Sequence, residues 1–210
     1  LTFYQGFEVY ALDVSVGSPI KQLGCAYFQV DVTSPESIAK FKADFGNRPV
    51  DMLLNVAGIM MKPDLDALAT TTPETLSKSF AVNASGVFLL TQALLPNILA
   101  AKGAKIGIVS TRVSSMADNT GGGLYAYRAS KAAVNAIGVS LSVDLRAQGV
   151  TVLLLHPGIN NTNLAGGGLK GFGPAFEPAD TAERLFKVMD EKTIDDTGKF
   201  FQYEGKELPW

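Results

Sequence analysis

Two stretches of the chain, Met52-Leu-Leu-Asn55 and Thr151-Val-Leu-Leu-Leu-His156, are almost continuously apolar over the length of a strand. A strand wet on one face alternates polar and apolar residues, whereas a strand covered on both faces has no such need. The two runs therefore predict central strands with a layer on each side. Val9 to Leu12, Cys25 to Val30, Lys105 to Thr111 and Phe200 to Tyr203 read as further strands, and helix-like stretches alternate with them. That alternation predicts an α/β fold, a doubly wound parallel sheet covered by helices on both faces. With 210 residues and 47% hydrophobic content, one domain over 1–210 with a sizeable core is expected.

The helices carry start signals. Ser34-Pro-Glu-Ser37 opens one with Ile38, Phe41 and Phe45 at helical spacing, Ser34 as cap and Pro35 as first residue. Thr72-Pro-Glu-Thr75 opens another that runs toward Phe80. Val87 to Leu99 reads as a long apolar helix, Leu124 to Leu145 as a second, and Pro178-Ala-Asp-Thr181 starts a third. Ile159 to Pro174 is glycine-rich and irregular. Extended loops of this kind are often lids.

Composition narrows the function classes. A net charge of −2 gives no electrostatic reason to expect nucleic acid or an anionic membrane. No apolar run reaches the ~20 residues of a membrane-spanning helix. The single cysteine, Cys25, excludes an intramolecular disulfide, fits a cytoplasmic location, and reads as a small core residue. No His/Cys/Asp/Glu cluster has metal spacing, so no metal is expected. His156, the one histidine, ends an apolar strand and reads as structural.

Tyr127 and Lys131 stand four residues apart in an Ala-rich helix and share one face. An ammonium beside a phenol favours the phenolate, so the tyrosine pKa is expected to fall toward neutrality, suiting it to exchange a proton with a carbonyl or alcohol oxygen. Tyr125 lies about 200° around the helix and points elsewhere. A Tyr and Lys at this spacing arise often by chance. Here they accompany Leu53-Leu-Asn55-Val-Ala-Gly58, Phe80-Ala-Val-Asn83, Ile108-Val-Ser-Thr111 and His156-Pro-Gly158, in that order along the chain.

This ordered set resembles the short-chain dehydrogenase/reductase family from about Gly6 to Trp210. The segment Lys105 to Arg128, with Ala117-Asp-Asn-Thr120 and the Leu208-Pro-Trp210 ending, is similar to the C-factor and sniffer-like carbonyl reductase branch. The resemblance implies a Rossmann-like domain and transfer of hydride between NAD or NADP and a small carbonyl or alcohol substrate. It implies Tyr127 as acid/base, Lys131 as its tuner and as a holder of the nicotinamide ribose, and Asn83 in a water relay from the lysine. In this branch Thr111 matches the position where a serine usually binds the substrate oxygen, while spacing in shorter relatives would give Ser114. Thr111 is preferred because the strand match is continuous.

For the cofactor, the resemblance implies Asp31 and Val32 at the adenine, and Asn55, Ala57 and Gly58 along its flat face. Pro157, Gly158, Ile159 and Thr162 would hold the nicotinamide amide. The family has a second Asn where Val56 stands. Asp13, after a strand, would accept from the adenosine ribose and repel a 2′-phosphate, favouring NAD. Asp31 also has an ordinary reading as a strand-end turn residue. Members of the family start with a strand and a glycine-rich turn that cradles the pyrophosphate. No Gly-x-x-x-Gly-x-Gly precedes Gly6-Phe-Glu-Val9, and Gly121-Gly-Gly123 is no substitute. The sequence is therefore expected to be an N-terminally incomplete member whose first helix ends near Leu1. Two rivals stay open: an inactive binding protein without the cradle, and a non-redox cyclase or isomerase. A homodimer or homotetramer is expected from the breadth of the apolar faces on Val87 to Leu99 and Ala132 to Leu145.

Overall fold

Ser34 and Thr72 cap helices as their sequences predict. The Ser34 hydroxyl accepts from the Ser37 N–H and the Thr72 hydroxyl from the Thr75 N–H, each with a proline in the first turn. The computed structural model describes residues 6–164 and 175–210. Their order is β1 (Tyr10–Asp13), α1 (Ser18–Lys21), β2 (Ala26–Gln29), α2 (Pro35–Phe45), β3 (Met52–Asn55), α3 (Pro73–Phe80), a π-helical turn (Ala81–Ser85) and α4 (Gly86–Leu99). There follow β4 (Lys105–Val109), α5 (Tyr125–Leu145), β5 (Thr151–His156), β6 (Ile159–Asn160), β7 (Ala175–Phe176), α6 (Pro178–Glu191) and β8 (Phe200–Gln202).

All the strand pairs are parallel. β3, β4, β5 and β8 form one sheet in that order, with Met52 opposite Lys105, Ile106 opposite Val152 and Leu155 opposite Phe201. One face carries Leu53, Ile106, Ile108 and Val152 against α2, α4 and α5, through Phe41, Leu94, Ile98 and Val134. The other carries Leu54, Val109, Leu153 and Leu155 against Leu185, Val188 and Met189 of α6. Gly107 lets α6 pack close to β4: a Cβ would fall 2.6 Å from the Met189 sulfur. The result is the doubly wound parallel α/β architecture.

Among the described residues, β1 and β2 pair only with each other. A cavity of about 1670 Å³ separates them from β3, lined by Leu12, Val30, Phe41, Leu53, Leu54 and Met189 among others. The facing edges of β1 and β3 have no strand partner among the described residues, at the place where the family resemblance puts a first strand.

Several expectations need correction. β5 is buried through Leu155, but Met52, Leu53 and Leu54 are only half-buried because one side of β3 faces the cavity. Cys25 lies half-buried just before β2, an edge strand, and is not in the core. β4 stops at Val109, so Ser110 and Thr111 lie past its end. The helices around Asn83 are continuous. Pro73–Leu99 is a 27-residue helical run with a mean hydropathy of 1.4 in its most apolar window, long and apolar enough to cross a membrane by length and composition. Half of that window is buried in the protein, as in a core helix. The residues around Leu1, and 165–174 of the anticipated lid, lie outside the described residues.

Candidate active site

The ends of β3 and β4, the π turn and the first turns of α5 converge on one buried cluster. Tyr127 and Lys131 project from α5 and are 7% and 3% exposed, while Tyr125 on the far side is 43% exposed. Asn83 sits in the π turn, a geometry that adds a residue to the helical ring and recurs at functional sites. Its Oδ1 accepts from the Ile59 N–H at 2.7 Å, and its Nδ2 donates to the Ile59 carbonyl and the Ser130 hydroxyl, both at 2.9 Å. The amide thus props the chain leaving β3 against α5. The Ser130 hydroxyl donates to the Tyr127 carbonyl at 2.9 Å. Lys131 Nζ donates to the Val109 carbonyl at 2.8 Å. Gly58 threads between these groups: a Cβ there would stand 3.3 Å from both Asn83 Oδ1 and Lys131 Nζ.

Thr111 and Ser114 are now separable by their partners. Thr111 stands beside the Tyr127 phenol and draws its proton affinity down, while the Thr111 hydroxyl accepts from the Val113 N–H at 3.4 Å. Ser114 Oγ donates to the Thr111 carbonyl at 2.6 Å and accepts from Asn135 Nδ2 at 2.9 Å, so it is engaged inside the protein.

The tyrosine's proton affinity runs opposite to expectation. Burial pushes the Tyr127 phenol up to about 12, against a smaller downward pull from Thr111. Burial also pushes the Lys131 ammonium down to about 8. The reason is desolvation: both groups leave water, and the lysine's observed hydrogen bond goes to a backbone carbonyl rather than to the phenol.

The residues expected at the cofactor fall into two groups. Asp13, Asp31, Val32, Asn55, Ala57 and Gly58 all line the large cavity. Asp13 Oδ1 accepts from the Ser15 N–H at 2.8 Å, and Asp31 Oδ1 accepts from the Thr33 hydroxyl and N–H at 2.6 and 2.8 Å. Thr33 thereby holds the Asp31 carboxyl below its usual range. Asn55 turns its amide to the Thr91 hydroxyl at 3.3 Å. Pro157, Gly158, Ile159 and Thr162 form the second group beyond β5 and do not line that cavity. Gly158 adopts φ 74°, packed by Phe176 and Tyr203, so a side chain there would be strained and crowded. His156 is pushed down to about 4 by burial and then by the charge of Arg112, which keeps it neutral.

Sequence reasoning missed Ser130, Arg128 and Asp66. Arg128 donates to the Val113 carbonyl at 2.6 Å and to the Gly123 carbonyl at 3.0 Å, tying two loops to α5. Asp66 is fully buried and bonds the first turn of α5 from sixty positions upstream, where no local pattern announces it.

A parallel doubly wound sheet with a buried Tyr, Lys, Asn and Thr at the strand ends defines a dehydrogenase/reductase-type protein. The family model described as short chain dehydrogenase matches residues 3–169, and the chain belongs to that family of oxidoreductases. It is 38% identical over 183 residues to 1-hydroxy-2-glutathionyl-2-methyl-3-butene dehydrogenase of Rhodococcus sp. (strain AD45), covering 86% of this chain and 78% of that one. It is 38% identical to the C-signal protein of Myxococcus xanthus over 77% of this chain and 93% of the relative. Among solved structures, NADPH-bound carbonyl reductase from chicken fatty liver superposes with a TM-score of 0.86 at 25% identity, covering 96% and 87% of the two chains. The carbonyl reductase Sniffer of D. melanogaster gives 0.80 at 28% identity, covering 89% and 78%.

Proposed function

We propose that the protein uses a nicotinamide cofactor to reduce a small ketone or aldehyde. The observation that carries this reading is the cluster of Tyr127, Lys131, Asn83 and Thr111, each less than 9% exposed, past the ends of β3 and β4. The residues present fit such a cofactor. Lys131 has used one N–H, on Val109, and keeps others for ribose hydroxyls. Asp13 ends β1 and Asp31 follows β2, at the strand ends where the adenosine would lie.

When bound, the nicotinamide supplies or accepts the hydride. The protein's own groups handle the oxygen. Thr111 donates a hydrogen bond to the carbonyl oxygen and orients it. Tyr127 gives that oxygen its proton as the carbon is reduced. Burial keeps the phenol protonated at neutral pH, the form that gives a proton to a carbonyl oxygen; alcohol oxidation uses the phenolate. Asn83, by holding Ile59 and Ser130, fixes the floor on which Tyr127 and Lys131 stand.

Finer features belong to the same reading. Asp13 keeps Oδ2 for a ribose hydroxyl and disfavours a 2′-phosphate, so NADH is the preferred reductant, in contrast to the chicken carbonyl reductase with NADPH bound. Phe88 on α4 and Val139 and Val143 on α5 are exposed at 38%, 37% and 71%, which supports self-association as a homodimer or homotetramer through these helices. Light scattering at micromolar concentration reads that directly, and a monomer mass would remove it. The test of function is oxidation of NADH or NADPH by the intact protein against a panel of aldehydes and ketones. Consumption that requires a carbonyl is expected. No consumption with any of them would contradict the proposal.

A further inference from the structure

Helix α5 begins in an unusual way. The residue before it, Leu124, adopts the left-handed conformation (φ 51°, ψ 45°) and contributes no side-chain cap. A leucine gains nothing there that glycine would not give more cheaply. The first N–H groups of any helix lack intrahelical acceptors, and burial without a partner is costly. Ala126 and Tyr127 are buried, yet both are satisfied. Asp66 Oδ1 accepts from the Ala126 N–H at 2.8 Å, and Asp66 Oδ2 accepts from the Tyr127 N–H at 3.0 Å. The Thr71 hydroxyl shares its one proton between the Ala67 carbonyl at 2.8 Å and Asp66 Oδ1 at 3.1 Å. Asp66 itself is 0% exposed.

We infer that Asp66 is a positioning residue for catalysis: its carboxylate clamps the backbone of Tyr127 and so sets where the phenol stands relative to Thr111 and Lys131. This rests on the proposed role of Tyr127. Three features support more than a generic cap. Both carboxylate oxygens are used, which fixes a plane rather than a point. One of the two N–H groups belongs to the residue that carries the phenol. The same residue's carbonyl is held by Ser130, which Asn83 holds in turn, so the backbone of Tyr127 is gripped from both of its peptide groups. A carboxylate at a helix N-terminus also complements the helix dipole, so the clamp and the dipole favour the same placement.

The loop that carries Asp66 lies between β3 and α3 and shares no element with Tyr127. Asp64, on the same loop, is not part of the clamp through its side chain; its carbonyl accepts from the Thr70 hydroxyl at 2.7 Å and shapes the loop around Asp66. The loop's polar bonds therefore converge on presenting one carboxylate to α5.

The test uses the intact protein, 4-nitrobenzaldehyde with whichever cofactor the wild type oxidises, and tyrosine labelled with carbon-13 at Cζ. Asp66→Asn keeps the shape but leaves one oxygen and turns a donor toward an N–H. Asp66→Ala removes the clamp. Thr71→Val removes the shared hydroxyl and leaves both N–H bonds. Turnover should fall about 10- to 100-fold in Asp66→Asn, as for a small misplacement of a reacting group, with KM and cofactor affinity within about threefold of wild type. The Tyr127 Cζ resonance, assigned by its loss in Tyr127→Phe, should shift in Asp66→Asn and stay in place in Thr71→Val. If Asp66→Ala does not fold, Asp66→Asn and Thr71→Val carry the comparison alone. An unshifted resonance in Asp66→Asn overturns the inference, and so does unchanged kcat. A wild type that reduces nothing defeats the enzymatic reading separately. The resonance then still decides whether Asp66 positions the phenol.

Discussion

β3 and β5 look alike as sequences and differ as structures. Both are almost continuously apolar, but β5 has strand partners on both edges and is buried from Thr151 to Leu155. Among the described residues β3 is paired on one edge, and Met52, Leu53 and Leu54 are half-buried beside the cavity. An apolar run therefore reports what a strand is ready to bury, while its neighbours decide what it does bury. The contrast extends to the site. The groups assigned to proton transfer, Tyr127, Lys131, Asn83 and Thr111, are each less than 9% exposed, and Asn83 and Lys131 hydrogen-bond across elements. Two of the groups assigned to the cofactor, Asp13 and Asp31, instead bond to their own turns. The half for proton transfer is bonded across elements; the two carboxylates of the other half are held by their neighbours in sequence.

The largest effect that separates the two halves is a pair of truncations. Leu154→Ala in β5 should cost about 3 to 4 kcal/mol, because a closed core cannot collapse around the loss. Leu53→Ala in β3 should cost about 1 to 2 kcal/mol, because its side chain already borders open space. Urea unfolding of both variants measures the difference. Equal costs would break the contrast and mean that further chain fills the cavity in the intact protein.

The next effect concerns the buried ammonium. Lys131 titrates near 8 in the fold against a usual 10.5. Between those values the unfolded chain holds more protons, so stability rises with pH across that window, and the full penalty is present below about 8. At about 1.4 kcal/mol per pH unit this penalty is on the order of 3 kcal/mol. Lys131→Met should therefore be more stable than wild type at pH 7, with the gain shrinking toward pH 10, as thermal melts would read. A variant less stable at pH 7 would show that the Val109 hydrogen bond outweighs desolvation.

The smallest expected effect lies on the open side. Asp13→Ala should shift the ratio of NADH to NADPH affinity toward NADPH by about 10-fold or less, roughly one exposed interaction of 1 kcal/mol. Cofactor fluorescence titration checks it, and an unchanged ratio would remove Asp13 from the ribose site.

Legibility followed the range of the interactions. Ser34 and Thr72 cap helices through residues three positions on, and the sequence shows both. β3 and β5 were delimited to the residue, because strand ends there coincide with polar or proline signals. The family's ordered motifs placed Asn83, Thr111, Tyr127 and Lys131 in one reading, and the fold brings them to one cluster. Contacts across the chain were not legible. Asp66 gives no local sign of bonding α5, and the half-burial of β3 depends on what stands at its other edge. The Tyr127 pKa was misjudged for a related reason. Helical spacing reports the shared face but not the loss of water around it, and desolvation outweighs the rest.

The claim that the two halves divide the work is tested most directly by measuring turnover and cofactor affinity side by side in Tyr127→Phe. Removing the phenolic proton should lower turnover by about 10²-fold or more, while cofactor affinity stays within about twofold of wild type. Turnover close to wild type, or a loss of cofactor binding that matches the loss of turnover, would contradict it.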